Sequence, residues 1–243
     1  MKILLIRHGD PDYVNDSLTA QGFKEADLLA ERIGNMKIDE CFVSPMGRAR
    51  RTAEPSLRKL NMEATVCDFM QEFTPTIRRP DAPDKENVVW DWLPQDWTGN
   101  DDFYTLDKCF DHDIFKQKEI KKKIFSIETS FDKLLAEHGY VREGRLYKAV
   151  KPNNDTIALF CHFGVGCIFV GHLIGVSPMV LWHGLCAAPT SVTTIATEER
   201  RKGYASFRVL SYGDTAHLYV ANEQPSFAAR FCECFGNEGE RVD

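Results

Sequence analysis

A chain of 243 residues, 43% hydrophobic and 27% charged, is long enough for one α/β domain with an insertion and too apolar to be disordered. Its formal charge of −6 and pI of about 5.7 exclude a generally basic face for nucleic acid or anionic membrane, so an anionic ligand must be met by a local cluster of cations. No run approaches the length of a membrane-spanning helix, and the apolar N-terminal run at residues 3–6 is cut short by charge before it could serve as a secretory signal, which points to a cytoplasmic protein.

The first stretch, KILLIRHGDPD from Lys2 to Asp12, is a branched, fully apolar run that stops at Arg7, His8 and Gly9. That pattern predicts a buried strand delivering a cation and an imidazole to the carboxyl edge of a sheet, where open α/β folds bind ligands. A turn rich in Asp, Asn and Pro follows. Thr19 then reads as the N-cap of a helix ending near Ile33, with Phe23, Ala26, Leu29, Ala30 and Ile33 at helical spacing and Gly34 as its stop. Residues 39–44 form a second strand. Ser44-Pro45 introduces a helix carrying Arg48, in which Pro55 is expected to cause a kink or an early end. Residues 62–69 form a third strand leading to Glu72.

From Thr74 to Asn154 the strand–helix rhythm breaks. Within it, Pro75, Pro80, Pro83, Pro94, Trp90, Trp92 and Trp97 precede an amphipathic stripe of Ile114, Ile120, Ile124, Ile127, Phe131, Leu134 and Leu135, and a fifth proline, Pro152, follows it. Lys121 to Lys123 form its solvated face, Gly139 closes it, and residues 140–150 suggest a hairpin around Glu143-Gly144. This segment is expected to be an inserted cap, residues 74–154, over a core made of residues 1–73 and 155–243. The rhythm resumes with a buried strand at 156–161, cut off by His162, Phe163 and Gly164, and a helix apolar on nearly all sides. Strands are expected at 191–197 and 204–212, the second antiparallel, with an edge strand at 217–220 and a frayed tail from Phe235.

The eight cysteines (41, 67, 109, 161, 167, 186, 232 and 234) are scattered and read as reduced thiols. Cys232 and Cys234 lack a second ligand pair at zinc-finger spacing. His112, His138, His172, His183 and His217 have no motif around them and read as core or surface.

Three strand ends carry the chemistry: Arg7-His8-Gly9, Ser44-Pro45 with Arg48 on the next helical turn, and His162-Phe163-Gly164. If the strands are parallel neighbours, two arginines, two histidines and a helix N-terminus meet, a set suited to a phosphoryl group. The motifs LIRHG, SPMGRARRTAE and CHFG, in this order between Lys2 and Gly166, resemble the histidine phosphatase superfamily, also called phosphoglycerate mutase-like.

The resemblance implies a three-layer α/β/α fold with a mostly parallel sheet and an inserted, largely helical lid. It implies that His8 is the nucleophile that becomes phosphohistidine, that Arg7 and Arg48 hold the phosphate, and that His162 binds the phosphoryl oxygens. Glu72 stands where the family's proton donor falls, with Asp68, Asp81 and Asp84 as alternatives. The chain departs from the family after Glu72, where it reads TPTIRRPD, and at Phe163, where a glycine is common; the Phe163 N–H remains a donor for phosphate. Tyr13, the tryptophans, Arg78 and Arg79 are the expected specificity determinants, an arginine pairing with a second anionic group or standing solvated.

The expected activity is hydrolysis of a small phosphorylated metabolite, releasing inorganic phosphate, without metal or other cofactor and without nucleic-acid or membrane partners. The adjacent arginines would repel a catalytic cation. A phosphoglycerate-type mutase is the nearest alternative, and a catalytically silent binding protein on the same fold is the alternative of another class.

Overall fold

The computed structural model describes residues 1–116, 118–228, 234, 236, 237 and 239. Cys232 and most of the tail from Phe235 fall outside the described residues. Among the described residues, eight strands form one sheet: β1 (Lys2–Arg7), β2 (Glu40–Val43), β3 (Thr65–Val66), β4 (Tyr140–Glu143), β5 (Leu146–Ala149), β6 (Thr156–Cys161), β7 (Val192–Arg201) and β8 (Tyr204–Asp214), in the order β3-β2-β6-β1-β7-β8-β5-β4.

Pairings from β3 through β2 and β6 to β1 are parallel, and each pairing beyond β1 reverses direction, so six of the eight strands run the same way. β1 lies between β6 and β7, buried on both faces. Its alternating side chains divide the core: Leu4 and Ile6 join Ala158, Phe160 and Val43 beneath the first two helices, while Ile3 and Leu5 join Ile157 and Leu159 on the opposite face.

Helix α1 (Ala20–Ile33) begins where Thr19 accepts the Gly22 N–H, and it buries Ala26, Leu29, Ala30 and Ile33. Phe23, placed on that stripe from the sequence, is 43% exposed because it lies on the flank of the helix rather than over the sheet. Helix α2 (Gly47–Leu60) runs through Pro55 without ending. The missing N–H falls one turn from the exposed Arg51, where water can serve the freed carbonyl.

The third strand shrinks to two residues and passes into a 3₁₀ turn at Asp68–Met70, since the chain must leave the sheet edge to carry Glu72 inward. The expected edge strand at 217–220 is a short helix, Ala216–Val220, which buries His217 and Leu218 and leaves Tyr219 and Val220 exposed.

The span 74–154 is not uniform. Residues 76–116 form a hairpin (Thr76–Arg78 with Glu86–Val88) and short helical turns around an aromatic cluster in which Trp92 contacts Phe103 at 5.5 Å and Phe115 at 5.7 Å. Glu119, at φ +53°, then breaks the expected single stripe, and α3 (Ile120–Glu137) packs Phe131 on Phe169 with 4.4 Å between ring centroids. The β4–β5 hairpin extends the central sheet beyond β8. Helix α4 (Phe163–Ile174) buries every residue but Ile174, as its uniform apolarity requires.

Candidate active site

β2, β6 and β1 are neighbours and end at the same edge, so Ser44, His162, Arg7 and His8 come together by topology alone. The rings of His8 and His162 lie 5.1 Å apart between centroids at 59°. All of the four principal side chains are enclosed: Arg7 5%, His8 2%, Arg48 5% and His162 1% exposed.

His8 Nδ1 lies 2.7 Å from the Gly9 carbonyl oxygen, which requires the Nδ1–H tautomer and leaves the lone pair on Nε2. Burial, together with the charges of Arg7 and Arg48 and the neighbouring His162, holds the His8 imidazole well below its ordinary pKa of 6.5. His162 is likewise driven well below 6.5 by burial and by Arg48 and Arg7. Its Nε2 is 2.8 Å from Ser44 Oγ, and its buried Nδ1 has no protein partner.

Arg7 Nη1 donates to the carbonyls of Ala187 (2.6 Å) and Ala228 (3.1 Å), while its buried Nε is unpartnered. Arg48 sits in the first turn of α2. Its Nη1 donates to Asp16 Oδ1 at 2.8 Å, and its Nε is also buried without a partner. Arg7 Nε, Arg48 Nε and His162 Nδ1 are thus buried at one sheet edge without protein partners, a donor set whose chemistry suits an oxyanion.

Glu72 is delivered to the N-terminus of α4. Oε1 accepts the N–H groups of Phe73 (2.8 Å) and Val165 (3.0 Å), and Oε2 accepts that of Gly164 (3.2 Å). Burial raises its pKa above the ordinary 4.5, and the three N–H groups and Arg7 offset only part of that rise. Of the alternative carboxylates, Asp68 and Asp84 are exposed, and Asp81 is engaged by Arg79 at 2.9 Å.

The peripheral residues divide. The Tyr13 ring lies 5.5 Å from the Arg48 guanidinium and is 68% exposed at the mouth of the site. Phe163 borders the site and meets Trp90 edge-on at 6.0 Å. Trp92 and Trp97 are buried in the aromatic cluster instead. Arg78 is exposed on the hairpin. Arg79 is committed within the lid, donating to the Asp91 carbonyl at 2.6 Å and to Asp81, so its charge is spent before it could serve a ligand.

Three residues that brace the site, Ser44, Thr52 and Thr190, have no individual role in the reading by motif. Ser44 orients His162, and Thr52 accepts the Gly9 N–H at 2.8 Å while donating to the Arg48 carbonyl at 2.8 Å. Both stand inside SPMGRARRTAE, so their spacing was the available signal. Thr190, at φ +59°, donates its N–H to the His8 carbonyl at 3.2 Å, and nothing local marks it.

Fold and site together define a three-layer α/β protein with two histidines and two arginines gathered at the carboxyl edge of its sheet. Residues 3–102 match the family model of the histidine phosphatase superfamily (branch 1). Two proteins of Schizosaccharomyces pombe, each named a probable phosphatase, are 32% identical over 79 residues and 35% identical over 82, covering 28% and 30% of this chain. These matches span 28% and 39% of the relatives' own lengths.

Among solved structures, a mutant phosphoserine phosphatase of Entamoeba histolytica in complex with phosphoserine superposes with a TM-score of 0.57 at 20% identity, over 89% of this chain and 98% of that one. A mycobacterial glucosyl-3-phosphoglycerate phosphatase gives 0.56 at 14% identity over 87% and 98%. The likeness to the histidine phosphatase superfamily thus rests on residues 3–102, the part of the chain that carries Arg7, His8, Arg48 and Glu72, while the solved structures share its fold.

Proposed function

We propose that the protein hydrolyses phosphate monoesters of small metabolites through a phosphohistidine at His8, without a metal. The observation that carries this reading is the His8 imidazole itself. It is neutral, tautomerically set by the Gly9 carbonyl and enclosed by Arg7, Arg48 and His162. Phosphoryl transfer asks mainly for in-line placement and preorganised positive charge.

His8 Nε2 would form a bond to phosphorus while the ester P–O bond breaks, with Arg7, Arg48 and His162 taking the charge of the equatorial oxygens. The departing alkoxide would take its proton from Glu72, whose raised pKa suits a donor. Water would then attack phosphorus as Glu72 accepts its proton, breaking the P–N bond and releasing phosphate and neutral His8. The arginines beside both histidines oppose a catalytic cation at this position.

Two relatives named phosphatases, and structural neighbours named for phosphoserine and glucosyl-3-phosphoglycerate, favour hydrolysis of phosphorylated metabolites. With Arg79 committed inside the lid, the site offers few further cations to retain a bisphosphate, which favours hydrolysis over a mutase. A screen of phosphorylated metabolites with His8→Ala as blank tests the proposal. The wild type is expected to release phosphate and to trap acid-labile, base-stable phosphate on quenching, and His8→Ala to do neither. A wild type that never labels, or 3-phosphoglycerate isomerised faster than any ester is hydrolysed, would refute it.

A further inference from the structure

The Arg48 guanidinium already faces a carboxylate supplied by this chain. Asp16 Oδ1 accepts Arg48 Nη1 at 2.8 Å, and Asp16 Oδ2 accepts the Gly47 N–H at 2.6 Å, at the first turn of α2. These are the two kinds of donor, a guanidinium and a helix N-terminal amide, that a phosphoryl oxygen seeks. The carboxylate is built into place. Asp16 holds a left-handed backbone at φ +45°, and the loop before it is braced by Asp12, whose Oδ1 accepts the Val14 and Asn15 N–H groups at 3.1 and 3.2 Å. Gly47 is required by the same contact, because a Cβ there would stand 2.1 Å from the Asp16 carbonyl oxygen.

The pair is also asymmetric: the Arg48 side chain is 7% exposed and that of Asp16 is 47% exposed. The arginine is therefore a fixed part of the site, whereas the aspartate reaches it from the rim, with Tyr13 of the same loop lying over the guanidinium. Arg48 Nε is buried and has no partner among the described residues, so it stays free for another acceptor.

We infer that Asp16 is a built-in counter-anion that competes with phosphate for Arg48, lowering affinity for the dianion and hastening release of the inorganic product. Of the site's two guanidinium charges, one is offset by Asp16, so the net attraction felt by a dianion is that of a weaker cradle. The consequence is a specificity rule: the site discriminates against retention of phosphate and so favours turnover. The inference rests on the phosphoryl-binding reading given above.

Its test is the titration of inorganic phosphate by calorimetry into the wild type, Asp16→Asn and Asp16→Gly, both residue types that tolerate a left-handed backbone. Removing one partly screened charge is expected to tighten phosphate about tenfold in both variants, and to make binding more salt-sensitive. The KM for an aryl phosphate should fall in parallel. Weaker phosphate binding in the variants would show instead that Asp16 positions Arg48, and unchanged binding would show that it does neither; each overturns the inference. If neither variant holds its fold by circular dichroism, Asp16 is a structural brace and the inference falls. A wild type that does not bind phosphate would defeat the phosphoryl-site reading itself, whereas binding by the wild type without tightening in the variants defeats the Asp16 role alone.

Discussion

At the scale of single residues, the site sorts its titratable groups by environment. His8 and His162, buried beside two arginines, are kept neutral, while Glu72 is pushed up by burial and keeps its proton to higher pH than a solvated carboxylate. The expected pH profile of kcat/KM for an alkyl phosphate has a rising limb where His8 loses its proton, below 6.5, and a falling limb where Glu72 loses its own, above 4.5. Glu72→Gln should remove the falling limb and slow alkyl esters about 10²- to 10⁴-fold, while aryl phosphates, whose leaving oxygen needs little protonation, lose far less. Equal losses on both substrates would place the donor elsewhere. A steric prediction accompanies it. A Cβ on Gly164 would meet Glu72 Oε1 and Trp90 Nε1, both at 2.7 Å. Gly164→Ala is therefore expected to displace the carboxylate and the lid tryptophan together, cutting kcat on alkyl esters while the far-ultraviolet circular dichroism stays unchanged.

At the scale of elements, α3, α4 and the β4–β5 hairpin are tied by a partly buried polar cluster remote from the chemistry. His172 Nε2 lies 2.9 Å from Asp132 Oδ2 and its Nδ1 3.4 Å from Glu128 Oε1; Asp132 Oδ1 accepts the Tyr147 hydroxyl at 2.9 Å. Arg142 Nη1 donates to the Tyr147 hydroxyl at 2.8 Å and the His172 carbonyl at 2.9 Å. Burial alone would lower the His172 pKa, but the hydrogen bonds and charges of Asp132 and Glu128 together outweigh it and raise the value above 6.5. A raised folded pKa stabilises fully below the unfolded value and fades as pH rises through the folded one. His172→Gln should thus cost about 2 kcal/mol at pH 6 and progressively less at alkaline pH, as read from urea melts across that range. A constant cost at every pH would mean that packing, not charge, is what His172 supplies.

At the scale of the whole molecule, the proposed function links folding to phosphate binding, because only the native state assembles the groups that would hold the ligand. Inorganic phosphate that binds the native state alone should raise the melting temperature, by the equivalent of about 2.7 kcal/mol at a hundred times its Kd. His8→Ala should retain part of this shift, since Arg7, Arg48 and His162 remain. The buried neutral histidines give the molecule its acid limit. His8, His162 and His217, the last lowered to about 4 chiefly by burial, contribute stability that is present above 6.5 and lost as pH falls toward their folded values.

Much of this protein was legible along the chain because its signals are local. A branched apolar run ending in Arg7-His8-Gly9, a Thr19 cap and a helix apolar on every side each state their own conformation through sterics, capping and burial. The motif spacing likewise named His8, Arg7, Arg48 and His162 without reference to their partners. What only the tertiary structure decided were the relations between distant segments. It set Ser44 against His162, committed Arg79 to Asp91 and Asp81, brought Asp16 onto Arg48, and carried the 140–149 hairpin into the central sheet. Such pairings depend on which charge and which edge a neighbour leaves unsatisfied once the sheet is ordered, and no local pattern encodes that.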